Sequence, residues 1–460
     1  MKNTSWWWIF LGAIGFGLIL NFLPWLALII ILSLVILLLA TQPGIGAYLL
    51  VLTGFLTGLE IDFSRYLWAR EIPYLAGVNA PLVDLITLAV IGSLLVAWFG
   101  FESNSKKRTI TIPGWQWYGL FLVAGLISIF LAPAGEHNLI LKAWFRPQVF
   151  VFVGLFITFI MSVRNKMVLD AVLKTWFGVG IATALFALFS LIISVGNSVW
   201  RATPFAIWGY APFGYNHNLL AEALVVTLPV ALYFFVTAKD KANKYLAGLT
   251  SGFIGLMTLL TLSRAAWLAT AVVVLVFVHY YQLKIKPVKE LNFLPTLSRL
   301  PIFLAVVLVP VIAYMGLFLT STVVTSSTSA RWEVTKMVGW NVARAPLFGY
   351  GPGQFIAILG DNAIYRLEYG DPLDAHGFVQ KILIENGLVG LVFFGLFLWS
   401  QIKHTVIHKN KLPREMLFLA QALVLSGIVF QLFNTSYYHA VFWLPLALAV
   451  VLINFATENN

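Results

Sequence analysis

The chain has 460 residues, of which 60% are hydrophobic and 10% are charged, with a formal net charge of +11. Soluble globular proteins carry about 25% charged residues, so this composition cannot cover a globular surface and indicates a protein that lipid covers instead. The chain has no Cys, which excludes disulfides and thiolate metal sites, and no separate basic domain that could hold a nucleic acid.

Apolar stretches long enough to cross a bilayer recur along the whole chain. A crossing needs about 20 apolar residues, and backbone groups in lipid must bond internally, so these stretches are predicted to be helices. The sequence therefore predicts an all-α polytopic transmembrane helix bundle of about 12 to 14 spans, with one long extracytoplasmic loop containing short helices. The predicted spans are 5–22, 24–40, 44–61, 80–100, 115–133, 145–163, 168–195, 217–237, 245–262, 265–283, 300–320, 376–400, 416–434 and 439–456.

Basic residues follow alternate spans, which predicts the orientation of the bundle. The segments concerned contain Lys106, Lys107, Arg108, Lys239, Lys241, Lys244, Lys284, Lys286, Lys289, Lys403, Lys409, Lys411 and Arg414. By the positive-inside rule these segments are cytoplasmic, and both termini are then cytoplasmic as well. Residues 1–20 lack a convincing small-residue cleavage site, so we interpret them as a retained first span.

The opposite side keeps eight Arg and only three Lys, which is unexpected from topology alone. The Arg side chain presents a planar fork of donors that grips phosphate or carboxylate in two places. These residues either form ion pairs with the acidic residues of the same side or bind an anionic ligand there. The basic residues of this side are Arg65, Arg70, Lys142, Arg146, Arg201, Arg264, Arg331, Lys336, Arg344, Arg366 and Lys381.

Two segments on this outer side exceed a simple turn, at 196–216 and 321–375. Within the second, residues 330–344 are predicted to be helical and the Gly-rich run 347–355 is predicted to be a turn rather than a phosphate loop. We expect three regions: N-terminal helices in 1–195, a catalytic half in 196–400 that holds both outer segments and spans eight to twelve, and C-terminal helices in 401–460.

Two candidates for chemistry stand at predicted membrane boundaries. His376 lies where the long outer segment enters a span, with Gln380 and Lys381 about one turn further on. Imidazole is the side chain best suited to proton transfer near neutral pH, although a helix-capping His would look the same. Arg264, preceded by Ser263, lies between two spans with almost no loop. An Arg there either pairs or lines an aqueous cavity, or it snorkels to the lipid headgroups.

A third candidate element begins at Arg201 and continues into the span that starts near residue 217. Asn218 stands at the start of this span, where the free N–H groups of the helix favour an anion. Glu222 lies one turn further on, inside the span. A buried intramembrane acid is either a functional group or a neutral carboxyl that bonds to a neighbouring helix.

Three segments in order carry a resemblance: SRAAWLA (263–269), SARWEVTKMVGWNVARAPLFGYGPGQF (329–355) and DAHGFVQKILIENGLVGLVFF (374–394). Together they resemble the O-antigen ligase and O-antigen polymerase superfamily, bacterial polytopic membrane glycosyltransferases that use undecaprenyl-diphosphate-linked glycans. Many members have Asn or Ser after the His, whereas this chain has Gly377. The resemblance implies that His376 is the catalytic base, that Arg264 and Arg201 bind the diphosphate, and that Arg331 helps hold the donor.

The resemblance implies a multi-pass protein of the bacterial cytoplasmic membrane whose active site faces the exterior. Its expected partners are a lipid-linked glycan donor, a glycan or glycolipid acceptor and the bilayer, with no nucleic acid. We expect no cofactor and no metal, because charge on a diphosphate leaving group can be neutralised by Arg. Ligation to lipid A core is the favoured activity. Repeat-unit polymerisation and transport of an anion or small solute remain alternatives.

Overall fold

The structure, a computed structural model, describes residues 35–36, 38–39, 42–62, 79–100, 110–132, 137–196, 199–214, 216–281, 300–360, 365–367 and 374–458. Fifteen α-helices lie within these residues, and the all-α prediction is confirmed. The helices of the first half are α1 (Pro43–Gly54), α2 (Leu82–Gly100), α3 (Trp115–Leu131), α4 (His137–Trp144), α5 (Thr158–Ser162), α6 (Lys166–Ile193) and α7 (His217–Thr237). Those of the second half are α8 (Lys241–Leu260), α9 (Arg264–Tyr281), α10 (Leu300–Leu319), α11 (Thr322–Arg344), α12 (Phe355–Gly360), α13 (Phe378–Ile407), α14 (Arg414–Leu432) and α15 (Ala440–Glu458).

Two features of the first half depart from simple α-helices. A π-helical stretch (Phe145–Ile157) joins α4 to α5, so that 137–162 is continuous helix. Strands β1 (Glu60–Asp62) and β2 (Asn79–Pro81) form a small antiparallel ladder just before α2. Within the described residues this ladder is the one β-sheet.

Seven helices of the described part are long and apolar enough to cross a membrane, or up to 8 if a bent pair counts as one span. Three shorter apolar helices lie at Gly44–Gly54, Leu82–Trp98 and Trp115–Leu131. The predicted spans 5–22 and 24–40 lie almost wholly outside the described residues. The total of 12 to 14 spans, like the division into three regions, stays a prediction.

A core of aromatic side chains packs at the centre of the bundle around α15, in which 89% of the residues Ala440–Thr457 are buried. Tyr118 of α3 stacks on Phe152 of the π-helical stretch at 4.1 Å between ring centroids. Trp443 of α15 meets Tyr118 edge to face at 5.3 Å, and Phe397 of α13 lies 5.0 Å from the same ring. Offset and edge-to-face pairs stabilise by roughly 0.5–1.5 kcal/mol beyond the area they bury. This core fixes α3, α13 and α15 relative to each other.

The Gly-rich run 347–355 forms turns, as predicted, and it packs into a break in α13. At Gly387 the backbone has φ 67 and ψ −168, which no other residue type adopts without strain. The N–H of Tyr350 donates to the carbonyl of Ile384 at 2.8 Å, and the N–H of Val389 donates to the carbonyl of Leu347 at 3.1 Å. The turns thus satisfy backbone groups that the break leaves free.

Helix α11 turns away from the preceding helix and leans over one end of the bundle. The bend between residues 309–319 and Thr322–Arg344 is 54°. The predicted helix 330–344 is therefore part of a longer one that begins almost directly after α10. Its buried residues Val324, Val334 and Val338 lie on one face and orient the polar residues beside them.

Candidate functional site

Four segments meet at one end of the bundle and bring together three of the arginines singled out in the sequence, together with His376. They are the segment before α7, the start of α9, the middle of α11 and the turn before α13. Because α7, α9 and α13 all begin at this end, residues far apart in the chain become neighbours. The convergence involves Arg201, Arg264, Arg331 and His376.

The start of α9 is tied to α7 and α11 by two hydrogen bonds. Ser263 donates its hydroxyl to the side-chain oxygen of Asn218 at 2.7 Å. Arg264 donates from Nη1 to the hydroxyl of Thr328 at 3.1 Å. Among the described residues Thr328 is the one hydrogen-bond partner of the Arg264 guanidinium, so most of its N–H donors are unused. The pair Ser263–Asn218 therefore orients the helix start on which the Arg264 side chain stands.

Arg331 stands on α11 within electrostatic reach of Arg264, so two positive charges share the site. Its Nε is buried and has no hydrogen-bond partner among the described residues. One turn further, Thr335 accepts a hydrogen bond from the amide of Gln380 at 2.8 Å, which joins α11 to α13. A half-buried guanidinium group beside a second guanidinium group is energetically unfavourable unless an anion offsets the positive charge.

Arg201 is held beside His217, the first residue of α7. Its Nη1 lies 3.4 Å from Nε2 of His217, and burial lowers the pKa of Arg201. His217 also lies within electrostatic reach of Arg331. It therefore lies near both Arg201 and Arg331 at the start of α7.

His376 lies in the turn before α13, with its imidazole half-buried. Burial is the largest cause of a lowered pKa at His376; together with the positive charges of Arg331 and Arg264, and against an opposing effect of Asp374, it brings the pKa to about 4. The imidazole is consequently neutral at neutral pH and can accept a proton. An anion bound to the arginines would offset their charge and raise the pKa of His376 towards its ordinary value.

Ion pairing, the alternative reading of the outer basic residues, holds for some of them. Arg146 pairs with Asp84 at 2.9 Å, and Lys381 pairs with Asp374 at 2.7 Å. Within the described ranges no carboxylate pairs with Arg201, Arg264 or Arg331. The charges of the three arginines gathered near His376 are thus not neutralised by an ion pair with a described acid.

Two residues considered in the sequence are engaged elsewhere. Lys381 is occupied by Asp374, with contacts of 2.8 and 2.7 Å to its two carboxylate oxygens. Glu222 is 1% exposed and accepts hydrogen bonds from Gln431 of α14, at 2.7 Å, and from Ser436. The Glu222 carboxyl therefore bonds to neighbouring elements, one of the two possibilities that the sequence left open.

Several contributors to this region could not be identified in the sequence. The chain has seven His, and nothing in the sequence singles out His217. Its contact with Arg201 is evident only from the position of α7 beside that residue. Thr328 and Thr335 are ordinary Thr residues of a long helix. The segment 433–439 carries no motif, yet it contacts the turn that bears His376. A local sequence pattern cannot predict such contacts, because the two residues of each contact lie far apart in the chain.

Comparison with known proteins supports the resemblance found in the sequence. The family model described as O-antigen ligase matches residues 249–395. The matched region contains Arg264, Arg331 and His376, whereas Arg201 and Glu222 precede it. A comparison with curated proteins found no match. The match supports an O-antigen ligase or polymerase type of activity in general, carried by a multi-pass membrane protein. Residues 249–395 therefore match the O-antigen ligase family model, and the predicted resemblance is confirmed over that part of the chain.

Proposed function

We propose that this protein is an O-antigen ligase-type glycosyltransferase of the bacterial cytoplasmic membrane. It moves a glycan from undecaprenyl diphosphate to a hydroxyl of lipid A core or of another envelope glycan, on the outer face of the membrane. One observation carries the proposal: Arg201, Arg264 and Arg331 converge with His376, and none of the three pairs with a described carboxylate.

The acceptor side of the reaction requires a base. A sugar hydroxyl is a poor nucleophile until its proton is drawn away, and a positioned base contributes roughly 10²–10⁴-fold. In the proposed step the neutral imidazole of His376 takes the hydroxyl proton while the acceptor oxygen forms a bond to the anomeric carbon. The imidazolium that results is stabilised by Asp374, whose charge favours it.

The donor side requires neutralisation of charge. As the new bond forms, the bond between the anomeric carbon and the diphosphate oxygen breaks, and negative charge develops on that oxygen. Arg264, Arg331 and Arg201 would bind the diphosphate and stabilise this charge in the transition state. A single displacement of this kind inverts the anomeric configuration, and it needs no metal because the guanidinium groups provide the counter-charge.

The proposed orientation follows from the two ends of the bundle. Lys239 lies between α7 and α8, and Lys241 and Lys244 lie in the first turn of α8. Lys409 and Lys411 lie between α13 and α14. Both connections are at the end opposite the arginine site. The positive-inside rule assigns this Lys-rich end to the cytoplasm, so the site faces the exterior.

Transport of an anion is less well supported than transfer. A transport path needs polar groups available near the midplane. Two acids of the apolar helices are already engaged, since Glu222 bonds to Gln431 and Ser436 and Asp84 pairs with Arg146. Both lie in the first two turns of their helices rather than near the middle of a span. Repeat-unit polymerisation shares the donor chemistry and differs only in acceptor.

The test is transfer in vitro from a defined undecaprenyl-diphosphate glycan to lipid A core in detergent. We expect wild-type protein and an Arg344→Ala control, altered at an exposed Arg outside the site, to form product, and His376→Ala and Arg264→Ala to lose it. Product should persist in EDTA. Loss on chelation with recovery in Mg²⁺ or Mn²⁺ would disprove the metal-independent step. Equal turnover by wild type and His376→Ala would disprove the base assignment.

A further inference from the structure

The turn that bears His376 has little regular structure of its own. Residues 374–377 precede α13 and are not helical, and Gly377 is the N-cap of that helix. A base on such a turn needs outside support, because misplacement by about 1 Å can cost roughly 10²-fold in rate. The contacts that supply this support come from residues outside the family-matched region.

We infer that the segment 433–439, between α14 and α15, positions His376 by holding the two residues before it. Thr435 donates its hydroxyl to the carbonyl of Ala375 at 2.6 Å. Tyr438 donates its hydroxyl to Oδ2 of Asp374 at 3.0 Å. This inference rests on the proposed function, in which His376 is the catalytic base.

Asp374 is held by further donors, so the segment completes an already organised cluster. Its carboxylate accepts from Nζ of Lys381 at 2.7 and 2.8 Å and from the backbone N–H of Ala375 at 2.9 Å. The ammonium of Lys381 also lies 4.7 Å from the ring centroid of Tyr438. Asp374, Lys381 and Tyr438 therefore form one unit at the start of α13.

The residue that follows His376 is fixed by packing. A Cβ at Gly377 would overlap the carbonyl oxygen of Leu432, the last residue of α14. The turn thus lies directly against the end of α14, where the segment 433–439 begins. This close approach gives a structural reason for Gly at position 377.

A buried polar network attaches the segment 433–439 to α7 and α14. Ser436 donates to Oε2 of Glu222 and accepts from Gln431 at 2.8 Å and from Asn434 at 2.6 Å. A hydroxyl offers one donor and two acceptor sites, so Ser436 is fully bonded. Through Glu222 the segment is attached to α7, the helix that also begins at His217.

These residues position the base and do not themselves take part in the chemistry. Thr435 and Ser436 are 6% and 3% exposed, and the hydroxyl of Tyr438 is used by Asp374. Loss of a positioning bond should slow the proton-transfer step while leaving donor binding at the arginines intact. A bond that only stabilised the bundle would lower the melting temperature without separating kcat from KM.

The experiment compares Thr435→Val, Thr435→Ser and Tyr438→Phe in the full-length protein, by transfer from undecaprenyl-diphosphate glycan and by melting in detergent. Thr457→Val is the matched control, because its hydroxyl also bonds a backbone carbonyl, at 3.0 Å, at the far end of α15. We expect Thr435→Val and Tyr438→Phe to lose roughly 10-fold to 10²-fold in kcat, with the donor KM changed less than about twofold. Thr435→Ser should restore kcat, and Thr457→Val should match wild type.

Wild-type kcat in both Thr435→Val and Tyr438→Phe, while His376→Ala is inactive, would overturn the positioning role and leave the proposed function standing. An equal loss in Thr457→Val would likewise overturn it, since the effect would then be one of general stability. If His376→Ala turned over like wild type, the proposed function would fail and the positioning role with it. If Thr435→Val does not fold, Tyr438→Phe alone decides by the same criteria.

Discussion

Arg331 and His376 lie close enough for the guanidinium charge to lower the pKa of the imidazole. Burial is the larger cause, and Arg264 acts in the same direction as Arg331, whereas Asp374 opposes them. The imidazole of His376 is therefore unprotonated at neutral pH in the free protein. Binding of an anionic donor would reverse part of this effect and increase its basicity at the moment when a proton must be accepted.

The pH dependence of glycan transfer should show this effect of Arg331 on the pKa of His376. Only neutral His376 can act as a base, so kcat/KM should fall as the pH drops through its pKa of about 4 in the free protein. Arg331→Gln removes a positive charge, which raises this pKa and moves the acid limb to higher pH. The measurement is kcat/KM against pH for both proteins, with Arg344→Gln as control. An acid limb at the same pH in Arg331→Gln would contradict the prediction.

Asp374→Asn should shift the same limb in the opposite direction. The carboxylate raises the pKa of His376, so its neutralisation lowers that pKa and moves the acid limb to lower pH. The weaker base should also lower the plateau rate. Profiles of kcat/KM against pH, measured in parallel for Asp374→Asn and Arg331→Gln, test whether the two acid limbs move in opposite directions. A shift of both limbs in one direction would show that the electrostatic account is wrong.

Arg264 should be sensitive to the shape of its charged group as well as to its charge. Arg264→Ala should lower kcat/KM by roughly 10²–10³-fold, the range found when a donor to developing negative charge is removed. Arg264→Lys keeps the charge but not the planar fork, so its loss should be smaller but clear. Steady-state kinetics with the lipid diphosphate donor measure both. Full activity in Arg264→Ala would exclude a role in leaving-group stabilisation.

The break in α13 should depend on Gly387. Gly387→Ala places a Cβ against the carbonyl of Leu347 at a positive φ, which we expect to destabilise the protein by about 1–3 kcal/mol. Gly395→Ala is the control in the same helix, since a Cβ there meets nothing within 4 Å, and Ala favours a helix. Thermal melting in detergent should separate the two. Equal melting temperatures would show that the turns at 347–355 do not require the break.

The buried carboxyl of Glu222 should matter for stability. Glu222→Leu leaves Gln431 and Ser436 without their acceptor, and a buried donor left unpaired costs about 1–3 kcal/mol. Glu222→Gln keeps one carbonyl acceptor and an amide, so it should melt closer to wild type. Melting temperatures of the two variants give the comparison, and a Glu222→Leu protein as stable as wild type would refute it.

Much of the fold could be predicted because membrane helices depend on local properties. The length and apolarity of residues such as those in α6, α7 and α15 identify them without knowledge of neighbours. The turns at 347–355 were predictable from their glycines. The break at Gly387 was not, because a lone Gly in an apolar run is ordinary in membrane helices. The extent of α11 was missed because its first turns are rich in Ser and Thr.

The sequence by itself determined the membrane class, the helical fold class and the identity of Arg264 and His376 as candidates, since each depends on composition or on a short motif. Only the tertiary structure decided which groups meet: Arg201 beside His217, Lys381 with Asp374 rather than free, and the segment 433–439 against the turn that carries His376. The physical reason is that a bond between side chains depends on how helices pack. Helix packing is set by side chains spread along the whole chain, which no local pattern contains.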